Sequence, residues 1–385
     1  MTADVVVIGA GIMGASAAWH LSALGVRDVL LVDAGSGPGA GSTSRATGGF
    51  RAQFATAVNV RLSLRSRAKL LSFREETGGD AGYRPVGYLF LAGSEAELAV
   101  LREAQRVQRA EGLREAVLLA PGEIARVQPH VRLDGVAGAA WCPTDGYIDP
   151  MGLTRGYLEA ACRAGVRVRW GAAVERFERE GGRLTAVHAG GERIAAGVVV
   201  NAAGPWSAEV AARAGAALPV TPVRRQVAVT HPTGALPAEC PMTIWLGDGF
   251  HFRVRDGRVL LLFPRATAGA TPYDTTFDPA WLGPVRKLAA ERVPALEGVK
   301  VDEGRCWCGL YEMSPDHHAI LGPMPEAANL YAINGSSGHG VMHGPALGEA
   351  LAEMVVYGAA RSVDVRALRP QRFAEGEPNP APVLL

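Results

Sequence analysis

The segment Gly9-Ala10-Gly11-Ile12-Met13-Gly14 restricts this chain more than any other feature, because its flanks read as a buried strand before and a helix after. The order is strand at residues 4–8, glycine-rich turn, helix at 15–24 and strand at 28–32, which is a βαβ unit. Gly9 permits the tight turn, Gly11 lets a pyrophosphate approach the backbone, and Gly14 lets helix and strand pack closely. Asp33, ending the second strand, accepts hydrogen bonds from a ribose. The helix N-terminus carries the anion. These residues describe a dinucleotide site without separating NAD from FAD.

Two further segments bear on that choice. Val198-Val199-Val200-Asn201-Ala202-Ala203-Gly204-Pro205-Trp206 is a buried strand ending in small residues, as needed where backbone passes close to a dinucleotide in its crevice. Gly338-His339-Gly340 opens a second glycine-rich helix N-terminus, whose aligned N–H groups can stabilise the negative charge of a reduced flavin.

Composition removes several function classes. A chain of 385 residues outgrows a single core, so two substructures are expected. A net charge of +1, with both signs spread along the chain, lacks the footprint of a nucleic-acid binder. The only lysines are Lys69, Lys287 and Lys300, which makes lysine chemistry hard to place. Five irregularly spaced cysteines fit reduced thiols, and the lone Cys306-x-Cys308 pair cannot complete a four-ligand metal site, so no metal is expected. Neither a leader nor an apolar stretch of membrane-spanning length is evident, and a cytoplasmic location is expected.

The rest of the chain alternates in texture. A helix is expected at residues 62–77, a strand at 88–92, a charged helix at 95–111 and a turn-rich run at 141–150. A helix at 152–164, a strand at 166–170 and a hairpin leading to 197–200 restore the βαβ texture. Strands at 223–230, 250–254 and 258–263 suggest an antiparallel sheet, followed by a strand at 330–333 and a helix at 345–356.

The chain resembles the D-amino-acid-oxidase-like FAD oxidoreductases, in the branch of sarcosine oxidases, dimethylglycine dehydrogenases and glycine oxidases. The likeness runs nearly end to end. It is carried by Gly9 to Gly14 with Asp33, by Gly41-Ser42-Thr43-Ser44-Arg45, by Asp145-Gly146-Tyr147-Ile148-Asp149-Pro150, by residues 201–206 and 307–323, and by residues 337–344. It implies an α/β protein: a Rossmann-type FAD-binding domain (1–86, 145–218 and 314–385) and a second, substrate domain built on an antiparallel sheet (87–144 and 219–313). It implies FAD lying against Gly9, Gly11, Ile12, Met13, Gly14, Asp33, Ala34, Ser42, Thr43, Ser44, Arg45, Val174, Ala203, Gly204 and Trp206, and against Gly338, His339, Gly340, Val341 and Met342. Arg51 takes the place of a family arginine close to the substrate carboxylate. Tyr311 falls where sarcosine oxidases have an active-site tyrosine and glycine oxidases a carboxylate-binding arginine. Arg253 and Arg265 are further candidates for the charge clamp. His339 is a candidate in the site, and His251, His317 and His318 are the nearest other titrating groups.

The departures from that pattern also carry information. Monomeric sarcosine oxidases attach flavin through a cysteine, and here Gly309 stands at that position with Cys308 one residue away. One residue along a strand reverses the side chain, so non-covalent FAD is expected. The lysine those enzymes use for the substrate carboxylate corresponds to Met342, and the one that assists oxygen to an apolar residue near Leu261. Both losses count against sarcosine itself and against fast oxidase behaviour.

The implied chemistry is oxidation of a small amine or amino acid at the carbon next to nitrogen, giving an imine that water hydrolyses. Three readings stand: an N-methyl amino acid or a cyclic imino acid such as proline as substrate; a primary amine, glycine or a D-amino acid; or a flavin-bound assembly protein with little turnover. A partner subunit or a homo-oligomer fits the first.

Overall fold

In the computed structural model, which describes residues 1–265 and 271–380, the strand Thr2–Ile8 is the hub of a sheet whose order is Ile320–Pro323, Leu330–Asn334, Glu192–Asn201, Thr2–Ile8, Val29–Val32, Arg167–Arg169. All neighbours but the first two strands run parallel. A central parallel strand is covered on both faces, which is why Val5, Val6, Val7 and Ile8 are all apolar and buried. Val5 and Val7 face a layer of helices, while Val6 and Ile8 face the hairpin of Val174–Glu180 and Arg183–Ala189 with the helix Ser207–Arg213.

In the helical layer, Ile12–Ala23 packs against Pro150–Arg163 and against Gly340–Tyr357. The second contact is unusually close: a Cβ on Gly348 would lie 2.2 Å from Ser16 Oγ, and one on Gly344 2.7 Å from Ile12 Cγ1. Two helix N-termini, at Ile12 and Gly340, thereby come to the same edge of the sheet.

The second sheet has the order Trp307–Met313, Thr221–Val229, Arg258–Leu262, His251–Arg255, Met242–Trp245, Tyr88–Ala92, Gly138–Cys142, Val117–Leu119. It differs from the purely antiparallel expectation at one place. Met242–Trp245 runs parallel to Tyr88–Ala92, because the sheet is assembled from two separate excursions of the chain that need not meet in hairpin sense. A two-stranded ribbon, Gly49–Phe50 with Gly146–Tyr147, fastens the loop that passes between the two sheets.

Two helix starts differ from the sequence expectation. The helix expected from 62 begins at Ala57. The last helix begins at Gly340, not 345, with Pro345 inside it. Pro345 has no N–H to give to the helix, and the next residue, Ala346, donates its N–H to Ser66 Oγ at 3.2 Å on the neighbouring helix. Among the described residues no helix is long and apolar enough to cross a membrane.

The turn after Trp307–Met313 is locked by Arg372, which is fully buried and donates Nε and Nη2 to Asp316 at 2.8 and 2.9 Å. Asn379 adds its backbone N and Nδ2 at 2.9 and 3.0 Å. With these donors gathered on it, the Asp316 carboxyl is held well below the usual carboxylate range. Its ionised form is favoured by folding, so this stabilisation is complete at neutral pH and is lost as pH falls through and below the ordinary carboxylate range. Arg372→Ala is expected to cost roughly 3–5 kcal/mol, because it strands a buried carboxylate. Urea unfolding at pH 7 and at pH 4 measures it, with a smaller difference at the lower pH.

Candidate functional site

A cavity of about 810 Å³ runs between the two sheets from the glycine fingerprint to the strand Trp307–Met313. Its floor at the fingerprint is bare backbone. Gly9 has φ +107°, and a Cβ there would sit 2.4 Å from the carbonyl oxygen of Ala202; a Cβ on Gly14 would sit 1.8 Å from Gly9 O. Only glycine satisfies both, and the result presents the N-terminus of Ile12–Ala23, whose N-cap residue Gly11 offers no side chain, toward the cavity. Asp33 is positioned by its own neighbourhood: Oδ2 accepts from Ala10 N and Oδ1 from Gly35 N, each at 2.6 Å. A carboxylate oxygen has two lone-pair directions, so both oxygens retain one for a ribose.

The loop after Asp33 is stitched to the first helix and to the second sheet. Thr43 Oγ1 accepts from Ile12 N at 3.2 Å, Ser42 Oγ donates to Leu310 O at 2.6 Å, and Arg45 Nη1 donates to Cys308 O at 2.8 Å. Trp307 Nε1 donates back to Arg45 O at 2.8 Å. At the far end, Gly338 (φ +93°) makes room for Tyr311, whose Cε2 would lie 2.4 Å from a Cβ there.

Of the residues expected at the cofactor, Gly9, Gly11, Ile12, Met13, Asp33, Ala34, Ser42, Thr43, Arg45, Val174, Ala203, Gly204, Trp206, Gly338, His339, Gly340, Val341 and Met342 line this cavity. Gly14 does not; its part is the packing of helix on strand. Ser44 is exposed with Oγ directed at Gly41 O, because the short helix Thr43–Arg45 turns it outward. Arg265 is exposed and outside the lining, and Arg253 lies beneath the loop, donating to Thr47 O and stacked 3.7 Å over Tyr147. Neither reaches the cavity as a charge clamp. Cys308 is buried behind the lining while Gly309 faces it, as strand alternation requires.

Arg51 and Tyr311 do line the cavity. Arg51 is 1% exposed, donates Nη1 to Gln53 O at 2.7 Å, and lies 4.0 Å over the Phe54 ring. Its Nη2 lies 3.2 Å from His339 Nε2. Since a guanidinium only donates, Nε2 accepts and the imidazole is neutral. Burial brings Arg51 down to about 10, leaving it a cation at neutral pH. Burial and then Arg51 hold His339 well below its usual range, and burial takes His251 and His343 down to about 4 and about 3. His251 Nδ1 faces Gly249 O at 2.8 Å; a carbonyl only accepts, so Nε2 of this cavity-lining ring is left as an acceptor.

Asp145, buried, accepts from Ala52 N at 2.8 Å and from Gln53 Nε2 at 3.2 Å, holding the backbone that follows Arg51. Burial raises its carboxyl to about 6 in spite of these donors. Sequence reasoning missed Tyr88, Met242 and Ile244, the apolar wall near Arg51, and Arg225, which lines the cavity 5.3 Å from the Tyr311 ring. Only the doublet Arg224-Arg225 in an alternating strand hinted that one arginine turns inward. Among the described residues, the lining contains no lysine, and no His, Cys, Asp and Glu group is arranged for a metal ion.

The cavity thus suits an extended, anionic, partly apolar dinucleotide: a side-chain-free cradle, two helix N-termini, a carboxylate for a ribose, and a second chamber at Arg51. A family profile described as FAD dependent oxidoreductase matches residues 4–354. FAD-dependent oxidoreductase domain-containing protein 1 of Xenopus laevis is 30% identical, the match covering 98% of this chain and 83% of that protein. The crystal structure of L-proline dehydrogenase from P. horikoshii superposes with a TM-score of 0.90 at 29% identity, covering 98% of this chain and 99% of that one. Glycine oxidase from Geobacillus kaustophilus gives 0.84 at 26%, covering 96% and 99%.

Gly11→Val introduces a side chain beside Thr43 Oγ1, already 3.2 Å from a Cβ, and is expected to abolish flavin absorbance while far-ultraviolet circular dichroism stays native. Acid precipitation of the wild-type protein should release all flavin to the supernatant, and Cys308→Ser should release the same amount.

Proposed function

Because this chain belongs to the FAD dependent oxidoreductase family, we propose that it oxidises the carbon–nitrogen bond of a small amino acid to an imine, with an N-methyl amino acid or a cyclic imino acid favoured. The observation that carries the reading is the chamber where the cavity ends: the buried cation Arg51, with Arg225 on the Tyr311 side, two histidines held neutral, His251 and His339, and a wall of Tyr88, Met242, Ile244 and Tyr311.

FAD, when bound along Gly9–Gly14, Asp33, Ser42–Thr43 and Gly338–Met342, supplies the two-electron acceptor. The chain's own residues do the rest. Arg51 attracts the substrate carboxylate and fixes which carbon meets the flavin. His251 Nε2 accepts an N–H from the amine, and because the ring stays neutral down to acidic pH it adds no competing positive charge. The apolar wall excludes water, which strengthens both contacts. The absence of a lysine from the described lining supports an electron acceptor other than oxygen, and the likeness to L-proline dehydrogenase supports a secondary amine. The likeness to glycine oxidase supports the second reading, a primary amine such as glycine or a D-amino acid.

Anaerobic addition of proline, sarcosine, dimethylglycine, glycine and D-amino acids in turn, monitored by flavin absorbance, tests this. Bleaching by one of the first three is expected. Bleaching by glycine or a D-amino acid alone supports the second reading, and no bleaching by any of them supports a flavin-holding protein of little turnover. With the active compound, Arg51→Ala should raise KM roughly tenfold to a hundredfold with flavin content unchanged; an unchanged KM would place the carboxylate elsewhere.

A further inference from the structure

One acidic side chain in the cavity has no part in the chemistry above. Glu312 is 8% exposed and lies next to Tyr311 in the strand Trp307–Met313. Its Oε1 accepts from Ser336 N at 3.2 Å and Ser336 Oγ at 2.8 Å. Its Oε2 is buried and has no hydrogen-bond partner among the described residues. Burial shifts this carboxyl upward, and among the described residues the groups that oppose the shift are Ser336 and the backbone of Gly335, none of them a cation. An unsatisfied buried carboxyl oxygen is a standing cost, of the kind found where a ligand completes the bond.

The surroundings say which part of a ligand that is. A Cβ on Gly204 would lie 3.6 Å from Glu312 Oε2, and Gly204 follows the Ala202 carbonyl that abuts Gly9. On the other side, Ser336 leads into Gly338-His339-Gly340, the entry of the second helix. Glu312 therefore sits between the cradle for the pyrophosphate and the helix N-terminus for the flavin ring. Between those two groups FAD has its ribityl chain, three hydroxyl-bearing carbons that present neutral hydrogen-bond donors. The chamber at Arg51 is a poorer candidate, since Tyr311 points to it and the next side chain of a strand points the other way.

We propose that Glu312 is a cofactor-binding residue whose Oε2 takes a hydrogen bond from a ribityl hydroxyl of FAD. The proposal rests on the placement of FAD given above. It predicts discrimination by cofactor hydroxyl, which a merely structural glutamate would not produce.

Apoprotein is titrated with FAD and with the 2′-, 3′- and 4′-deoxyribityl analogues, following flavin fluorescence, for the wild type, Glu312→Ala and Glu312→Gln. Glu312→Ala should weaken FAD roughly tenfold or more. One deoxy analogue should bind the wild type more weakly by a comparable factor and bind Glu312→Ala no worse than FAD does. Should Glu312→Ala not fold, the cycle is run with Glu312→Gln, which keeps the shape and the Ser336 acceptor; there the penalty for the same analogue should shrink. Equal binding of all three analogues and FAD to the wild type, or one penalty common to wild type and variants, overturns the proposal. Failure of the wild type to bind FAD at all would instead overturn the placement it rests on.

Discussion

At Gly9 two stretches of backbone meet with no space for a methyl group, and the helix that starts two residues later is pressed as closely onto that turn at Gly14. This contact sets the height of Ile12–Ala23 above the sheet, and the Ser16–Gly348 approach passes it to Gly340–Tyr357. Two helix N-termini whose own N-cap residues supply no side-chain acceptor consequently open on one cavity. Each leaves backbone donors facing inward, worth most where the ligand is anionic and water is displaced. Glycine matters here for the space it leaves, and the helix that follows supplies the field.

The second organising element is a buried charge. Arg51 lies under aromatic rings, contacts the Gln53 carbonyl and His339, and stands on a loop pinned by Asp145. Its cation, together with burial, holds His339, His251 and His343 in the neutral form. The chamber is thus differentiated: the buried Arg51 cation, with Arg225 on the Tyr311 side, stands apart from the neutral acceptor His251 Nε2, which matches a substrate having a carboxylate at one end and an amine at the other. Neutral histidines beside an arginine avoid the repulsion that two cations in low dielectric would create.

Much of this was legible in the residue order. The fingerprint is local, and its βαβ frame follows from apolar runs of the right length, so the sheet's hub and its first helix are predictable from 33 residues. Gly338 to Gly340 could be read because glycine before a helix marks close approach, and Val341 and Met342 came with the family resemblance. Ser44 and Arg265 could not: both belong to segments whose residue types suit a binding loop, yet Ser44 is exposed in the short helix Thr43–Arg45 and Arg265 is exposed beyond the strand Arg258–Leu262. Arg253 has the composition of a clamp, but the loop at Thr47 lies over it. Pro345 marks a helix start in sequence terms, yet the helix begins at Gly340, and Ala346 N donates to Ser66 Oγ on a neighbouring helix 280 positions away in the chain.

What the sequence determined by itself is the dinucleotide cradle and the alternation of strands and helices, whereas the placing of Gly309, not Cys308, toward the flavin came with the family resemblance. The first two depend on spacing along a few residues, where backbone geometry leaves one outcome. The tertiary structure alone decided which arginine enters the chamber, that Asp145 holds the loop after Arg51, and that Glu312 is buried with one oxygen unsatisfied. Those facts arise where strands from separate excursions of the chain come together, and burial, the quantity that shifts a carboxyl or an imidazole, belongs to the assembly and not to any one segment.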